Sequence, residues 1–155
     1  EIEAARKAWE DKFTEVTSRE GGRPVTEIRD ALANAMWNKC GIFRDEQRMQ
    51  EALDEVNKLM EEYKTCYVGD TERTYNMAFV NYVEIGSMLT VAKAIVSGAL
   101  WRKESRGAHT RDDYQTRDDE NFLCHSIQHL GADGEYVLTE RPVVITKYQP
   151  EERKY

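Results

Sequence analysis

The sequence has no surplus of basic charge. Its 155 residues include 22 Lys and Arg but 29 Asp and Glu, for a formal net charge of −7. Proteins that bind nucleic acid usually present a basic face, and anionic lipid also attracts basic surfaces. The charge balance therefore argues against nucleic acid as a partner and, less strongly, against docking on a lipid surface.

Cysteine is scarce, and its spacing does not suggest pairs. The three cysteines, Cys40, Cys66 and Cys124, lie far apart and no CxxC occurs, so we expect a reducing compartment and no disulfide framework. No signal peptide is visible. Because the first residue is Glu1 and the chain already reads as helical there, we expect a fragment of a longer protein.

The motifs that mark common catalytic sites are also missing. There is no GxGxxG, no GxxxxGK[ST] and no GxSxG, so the sequence contains neither a phosphate-binding loop nor a nucleophile elbow. Cys124, His125 and His129 lie close together, but a structural zinc needs four ligands, so we expect ordinary side chains there and no metal. We predict no catalytic and no cofactor-binding residue in this sequence.

What the sequence does contain is helical periodicity. With 40% hydrophobic and 33% charged residues, it has the composition of one folded domain. Apolar residues recur at steps of three and four in three stretches separated by breakers, which predicts three helices. These stretches are 1–17, 25–36 and 49–63.

The longest apolar segment is 73–102, which has only a narrow polar stripe. Such a pattern is typical of a helix buried on most of its surface. Glu84 and Lys93 would each be costly at the centre of a bilayer, so we predict the central helix of a soluble bundle rather than a membrane span.

The pattern changes after the helices. The stretch 121–140 reads as strand, turn and strand, with Gly134 in the turn, and a β-branched run follows up to Pro150. We therefore predict a mainly α-helical (all-α) domain, with a helical bundle at 1–104 and a charged loop plus an extended or β-hairpin tail at 105–155.

Between the helices and the tail lies the charged segment, residues 103–120, with four basic and six acidic residues. Charge runs are mostly solvated, so a solvated loop is its simplest interpretation. The segment also carries a resemblance. RKESRGAHT at 102–110, together with several residues that follow it, resembles the C-terminal region of the flavoprotein subunit of succinate dehydrogenase and fumarate reductase. Those residues are Arg111, Arg117, Asp118, Asp119, Asn121, Leu123 and His125.

Three further blocks extend this resemblance over most of the chain from about residue 28. They are CGIFR at 40–44 with MQ at 49–50, MLTVAKAI at 88–95 and ITKYQPEERKY at 145–155. The resemblance implies a three-helix, spectrin-like antiparallel bundle. It also implies that this bundle packs on the flavin-binding domain of the same chain and lies near the iron–sulfur subunit.

The resemblance implies that the parent subunit uses FAD to interconvert succinate and fumarate. It places that subunit at the cytoplasmic side of the inner membrane, as a peripheral part of a complex, without direct insertion into the membrane. The flavin-binding and catalytic motifs of the family belong to its other domains, and none occurs here. We therefore expect this chain alone to be inactive and to hold no cofactor.

The charged segment and the residue before it supply candidates for domain docking. Guanidinium groups form forked pairs with carboxylates, so such pairs would fix the orientation of the helical domain, within the bundle or against the flavin domain. The candidate docking residues are Arg102, Lys103, Glu104, Arg106, His109, Arg111, Asp113, Arg117 and Asp118. Two other interpretations stay open: an L-aspartate oxidase-like flavoprotein, which shares a related helical domain, and a stand-alone helical interaction module.

Overall fold

The computed structural model describes residues 1–132 and 135–151. It confirms a mainly helical domain that ends in a β-hairpin. In chain order the elements are α1 (Ile2–Thr17), α2 (Val25–Lys39), β1 (Phe43–Arg44), α3 (Glu46–Tyr63), α4 (Met77–Trp101), β2 (Thr110–Arg111), α5 (Asp119–Phe122), β3 (Cys124–Leu130) and β4 (Tyr136–Pro142).

The hydrophobic core lies between α2, α3 and α4, which pack along one another. Each of the three helices places a stripe of apolar side chains in this core, as the periodicity predicts. The core side chains include Ile28 and Leu32 of α2, Val56 and Leu59 of α3, and Ile85 and Leu89 of α4. Helix α1 packs on the bundle through edge-to-face contacts of Trp9 and Phe13 with Phe79.

Polar side chains define where α3 and α4 begin. Asp45 is the N-cap of α3 and accepts a hydrogen bond from the Arg48 N–H. Asn76 caps α4 in the same way, accepting from the Phe79 N–H at 2.7 Å. Its Nδ2 also donates to the carbonyls of Asp70 and Glu72, which explains why α4 begins at Met77 rather than near residue 73.

Helix α4 is buried along one stripe only, so the prediction that it is covered on most of its surface is wrong. Its inner stripe, which includes Tyr82 and Val96, packs in the bundle. A second apolar stripe faces outward, and its members are Met77, Val80, Met88, Val91 and Ile95. Periodicity identifies apolar positions but does not show which of them a neighbour covers.

Lys93, which belongs to the predicted polar stripe of α4, is buried, and its Nζ donates to both carboxylate oxygens of Glu135 at 3.1 and 3.0 Å. Among the described helices, α4 is the one whose length and composition would allow it to cross a membrane. Core helices of soluble bundles meet the same criterion. The inner stripe of α4 is packed against α2 and α3, as expected for such a core helix.

The tail forms an antiparallel hairpin in which β3 and β4 pair from Cys124–Pro142 to Leu130–Tyr136. Gly134, the predicted turn residue, lies outside the described residues. Strand β3 begins at Cys124 rather than at residue 121, because the residues before it form the short helix α5. The β-branched run after Pro142 adds no further strand within the described residues, since β3 offers it no partner beyond Cys124.

Candidate functional site

The charged segment wraps around the C-terminal end of α4 and reaches the start of α3. Strand β2 pairs in parallel with β1, placing Thr110 opposite Phe43 and Arg111 opposite Arg44. The Asp112 N–H then donates to the Arg44 carbonyl at 2.7 Å. These bonds attach the segment to the connection between α2 and α3, so its position relative to all three core helices is fixed.

Arg111 lies at the centre of this arrangement, with a side chain that is 0% exposed. Its Nη1 donates to the carbonyl oxygens of Ala99 and Arg102 at 3.2 and 3.3 Å. The last turn of a helix leaves carbonyls without intrahelical partners and carries partial negative charge. The guanidinium of Arg111 therefore closes the C-terminus of α4 by both hydrogen bonding and charge.

Asp113 accepts the remaining hydrogen bonds of the Arg111 guanidinium group. Its two carboxylate oxygens accept from Nε and Nη2 of Arg111, both at 2.7 Å, in a forked pair. The same carboxylate accepts the Glu46 N–H at 3.0 Å. Hydrogen bonding to Arg111 lowers the pKa of Asp113 to about 2. The carboxylate thus connects the end of α4 to the beginning of α3.

A second buried charge, Glu104, has a side chain that is 0% exposed. Its carboxylate accepts from Nε and Nη2 of Arg106 at 2.8 and 2.9 Å, from the Asp118 N–H at 2.9 Å, and from Arg102. Burial by itself would raise the pKa of this carboxyl, but the bonds from Arg106, Asp118 and Arg102 lower it overall. Glu104 is therefore an ionised buried group with a full set of partners, as buried charge requires.

Arg102 and Arg106, the two arginines that bind Glu104, also contact residues at or near the start of the hairpin. Arg102 donates to the carbonyls of Phe122 and Cys124 at 2.9 and 2.8 Å, which holds the start of β3. Arg106 reaches Asp119 at 2.6 Å. It also opens a tight turn in which Gly107 has φ +60°, a left-handed conformation that glycine adopts without steric cost.

His109 closes that turn and bridges two arginines. Its Nδ1 lies 3.0 Å from Nη1 of Arg44, and its Nε2 lies 3.1 Å from the Arg102 carbonyl oxygen. A carbonyl only accepts, so Nε2 carries the proton and Nδ1 accepts from Arg44. Burial, together with the positive charges of Arg44, Arg111 and Arg102, lowers the pKa of His109, which keeps the imidazole neutral.

The remaining candidates lie at the edge of this network. Lys103 Nζ is 3.9 Å from the Glu46 carboxylate, and Arg117 donates to the Glu151 carbonyl at 2.7 Å. Asp118 caps α5 by accepting the N–H groups of Glu120 and Asn121. The structure therefore brings all the sequence-predicted docking residues into one connected set of bonds within the chain.

Sequence reasoning missed several members of this network. Arg44 bonds His109, Arg48 pairs with Asp112 at 2.8 Å, and the Ser105 Oγ accepts the Arg111 N–H at 2.8 Å. Arg44 stands in the CGIFR block of the resemblance, but its contact with His109 spans 65 positions. No local pattern reveals that contact, since only the fold brings the two side chains together.

The alternative metal residues are placed differently. His125 and His129 point to one face of β3, both are exposed, and Cys124 points to the other face. Within residues 1–132 and 135–151, no three His, Cys, Asp or Glu side chains come together as metal ligands would. The network of the charged segment consists of saturated ion pairs and caps, an arrangement that fixes geometry rather than one that activates a nucleophile.

Comparisons with known proteins agree with this architecture. The family described as "Fumarate reductase flavoprotein C-term" matches residues 29–155. The fumarate reductase flavoprotein subunit of Haemophilus influenzae is 39% identical over 99% of this chain, which covers 26% of that protein. The succinate dehydrogenase flavoprotein subunit of Coxiella burnetii is 39% identical over 64% of this chain, which covers 17% of that protein.

Solved structures share the fold as well. A chain of E. coli quinol fumarate reductase superposes with a TM-score of 0.88 at 35% identity, covering 97% of this chain and 26% of that one. A chain of the Mycobacterium smegmatis Sdh1 complex gives a TM-score of 0.82 at 26% identity, covering 92% of this chain and 25% of that one. The chain spans about a quarter of the length of the relatives that it matches along nearly its whole length. It therefore belongs to the fumarate reductase and succinate dehydrogenase flavoprotein family, in which it corresponds to the C-terminal domain of the flavoprotein subunit.

Proposed function

We propose that this chain is the C-terminal domain of a subunit that interconverts succinate and fumarate with FAD. The observation that carries the proposal is the family match over residues 29–155, in a chain that spans 26% of a fumarate reductase flavoprotein relative. Relatives named for both directions of the reaction match this chain, so the parent is proposed without a preferred direction.

The residues of this chain do not fit a flavin site of their own. A dinucleotide is normally held by a glycine-rich turn at the start of a helix, and no GxGxxG occurs in the sequence. The starts of α3 and α4 are already capped by Asp45 and Asn76. The flavin and the chemistry on succinate therefore belong to the remainder of the parent subunit.

The role proposed for this domain is structural. It packs on the flavin-binding domain of its own chain and lies near the iron–sulfur subunit, in a complex attached peripherally to the cytoplasmic side of a membrane. Its charged segment sets its orientation. Buried Glu104 and Arg111 support this role because they hold the segment against the ends of α3 and α4. Lys103 is 47% exposed and lies 3.9 Å from the Glu46 carboxylate, so its ammonium group remains available to a neighbour.

The experiment compares the parent subunit, expressed from its longer reading frame, with the 155-residue chain. Flavin absorbance, succinate-dependent reduction of a dye and fumarate-dependent oxidation of a reduced dye are measured on both. We expect flavin and both activities in the parent and none in the 155-residue chain. A parent without flavin or dicarboxylate turnover, or a 155-residue chain that binds flavin stoichiometrically, would contradict the proposal.

A further inference from the structure

The outward side of the bundle carries a continuous apolar surface, here called the outer face. It begins as a groove of about 400 Å³ between α2 and α4, where Ala33 and Met36 face Met88, Val91 and Ile95. Ser87 is the polar residue that borders this groove. The exposed fractions of Met88, Val91 and Ile95 are 42%, 56% and 47%, so this surface is open to solvent in the chain alone.

The outer face continues past α2 onto the connection that leads to α3. Ala33, Met36 and Ile95 also line a second hollow, together with Trp37, Ile42 and Phe43. Trp37, Ile42 and Phe43 are 79%, 70% and 64% exposed. Large apolar patches are rare on monomeric soluble proteins and mark surfaces that another structure covers. A tryptophan this exposed beside other apolar side chains is typical of an interface anchor.

One charged group at the edge of the outer face lacks an acidic partner among the described residues. The guanidinium of Arg44, which lines the second hollow, donates to the Gly41 carbonyl at 2.7 Å and to His109, and it forms no salt bridge within 1–132 and 135–151. The other arginine there, Arg48, is already paired with Asp45 and Asp112. A partly buried arginine flanked by apolar side chains favours a carboxylate on whatever covers it.

The length of the relatives indicates the occupant. This chain accounts for 26% of a relative that it matches over 99% of its own length, so about three quarters of such a subunit lies outside this domain. Helix α1 packs at the border of the outer face, where Ser87 lines both the groove and the cleft beside Trp9. A covering element from the same polypeptide needs no second binding event, because its tether keeps it at high effective concentration.

We infer that the outer face is the surface on which the flavin-binding part of the same subunit packs, through an apolar patch with an acidic group opposite Arg44. The inference rests on the proposed function, since it names the surface by which this domain joins the rest of that subunit. It also assigns separate tasks to two regions: the charged segment, whose Ala108 borders the second hollow, fixes the helices relative to one another, and the outer face makes the contact.

Thiol labelling tests the inference without depending on catalysis. Val91→Cys on the outer face is compared with Val137→Cys on β4, which replaces the same residue type at a similar exposure of 45% outside that face. Each variant is prepared as the 155-residue chain and as the parent subunit. Maleimide labelling at each position is then followed by mass spectrometry, which separates it from the native thiols Cys40, Cys66 and Cys124.

We expect Val91→Cys to label readily in the 155-residue chain and at least about tenfold more slowly in the parent, since a covered thiol reacts only when the contact opens. Val137→Cys should label at similar rates in both. Adding Arg44→Gln to the Val91→Cys parent should raise the labelling rate severalfold. An unchanged rate would remove the acidic group from the inference.

Three results would overturn the surface assignment. Equal labelling of Val91→Cys in both proteins would show that the outer face stays open. Protection that appears in the 155-residue chain and grows with its concentration would identify a second copy as the occupant. Protection that requires added anionic lipid vesicles would identify a membrane. A parent that lacks flavin or turnover would instead contradict the proposed function. The labelling rates would still decide, independently of that result, whether the outer face is covered.

Discussion

Glu104→Gln is expected to destabilise the domain strongly, although it changes only a charge. The carboxylate is fully buried and satisfies two guanidinium groups and one backbone N–H. Removing one partner of a buried ion pair typically costs about 3–5 kcal/mol because the other charge is left uncompensated. Arg102 keeps two carbonyl acceptors and Arg106 keeps Asp119, so we expect a loss near the lower limit, about 3 kcal/mol.

For a domain of this size, a loss of about 3 kcal/mol corresponds to a fall in melting temperature of roughly 6–12 °C. The assay is thermal and urea unfolding of the 155-residue chain, followed by far-ultraviolet circular dichroism. Glu61→Gln is the matched control. Its carboxylate pairs with Lys64 at the surface, and exposed pairs contribute only about 0–1 kcal/mol. If Glu104→Gln unfolded with the same midpoint as the control, the buried ion-pair network around Glu104 would not stabilise the domain.

Other predictions concern pH, packing and the core. Because the pKa of Asp113 is about 2, its contribution to stability is full above about pH 4 and is lost as the pH falls through about 2, so wild type and Asp113→Asn should converge in urea unfolding over that interval. The lowered pKa of His109 also makes the folded state less stable at low pH, so wild type should lose stability relative to His109→Gln as the pH falls below about 6.5. If the stabilities of the two proteins changed in parallel with pH, His109 would not be buried as a neutral group. Gly86→Ala would place a methyl group 2.6 Å from the Tyr63 hydroxyl and should lower stability by about 1–3 kcal/mol, whereas an unchanged urea midpoint would show that α3 can shift freely. Leu89→Asp should prevent stable folding, because it buries an unpaired charge; a native melting transition would show that the core lies elsewhere.

The helices and the hairpin could be predicted from the sequence because their signals are local. The steps of three and four predict the helices, and the strand, turn and strand pattern of 121–140 predicts the hairpin. These features depend on neighbouring residues, and the structure contains them, with α4 and β3 beginning a few residues later than the pattern indicates.

Two features could not be predicted because they depend on contacts between distant residues. The burial of Arg111 follows from its position over the last carbonyls of α4, about ten residues earlier in the chain, and nothing in its own sequence context distinguishes it from a solvated arginine. The second apolar stripe of α4 looks like a core stripe in the sequence. Only packing separates Val91, which faces outward, from Val96, which is buried.

The central claim is that the charged segment fixes this domain while the chemistry belongs to the rest of the subunit, and turnover of Arg106→Glu per bound flavin tests it most directly. The substitution sets a carboxylate against Glu104 and Asp119, so attraction becomes repulsion and the yield of flavin-loaded parent enzyme should fall. In the enzyme that does assemble, turnover per flavin and the Michaelis constant for succinate should stay close to wild type. A large loss of turnover at normal flavin content and normal assembly would contradict the account, because it would make Arg106 part of the catalytic site.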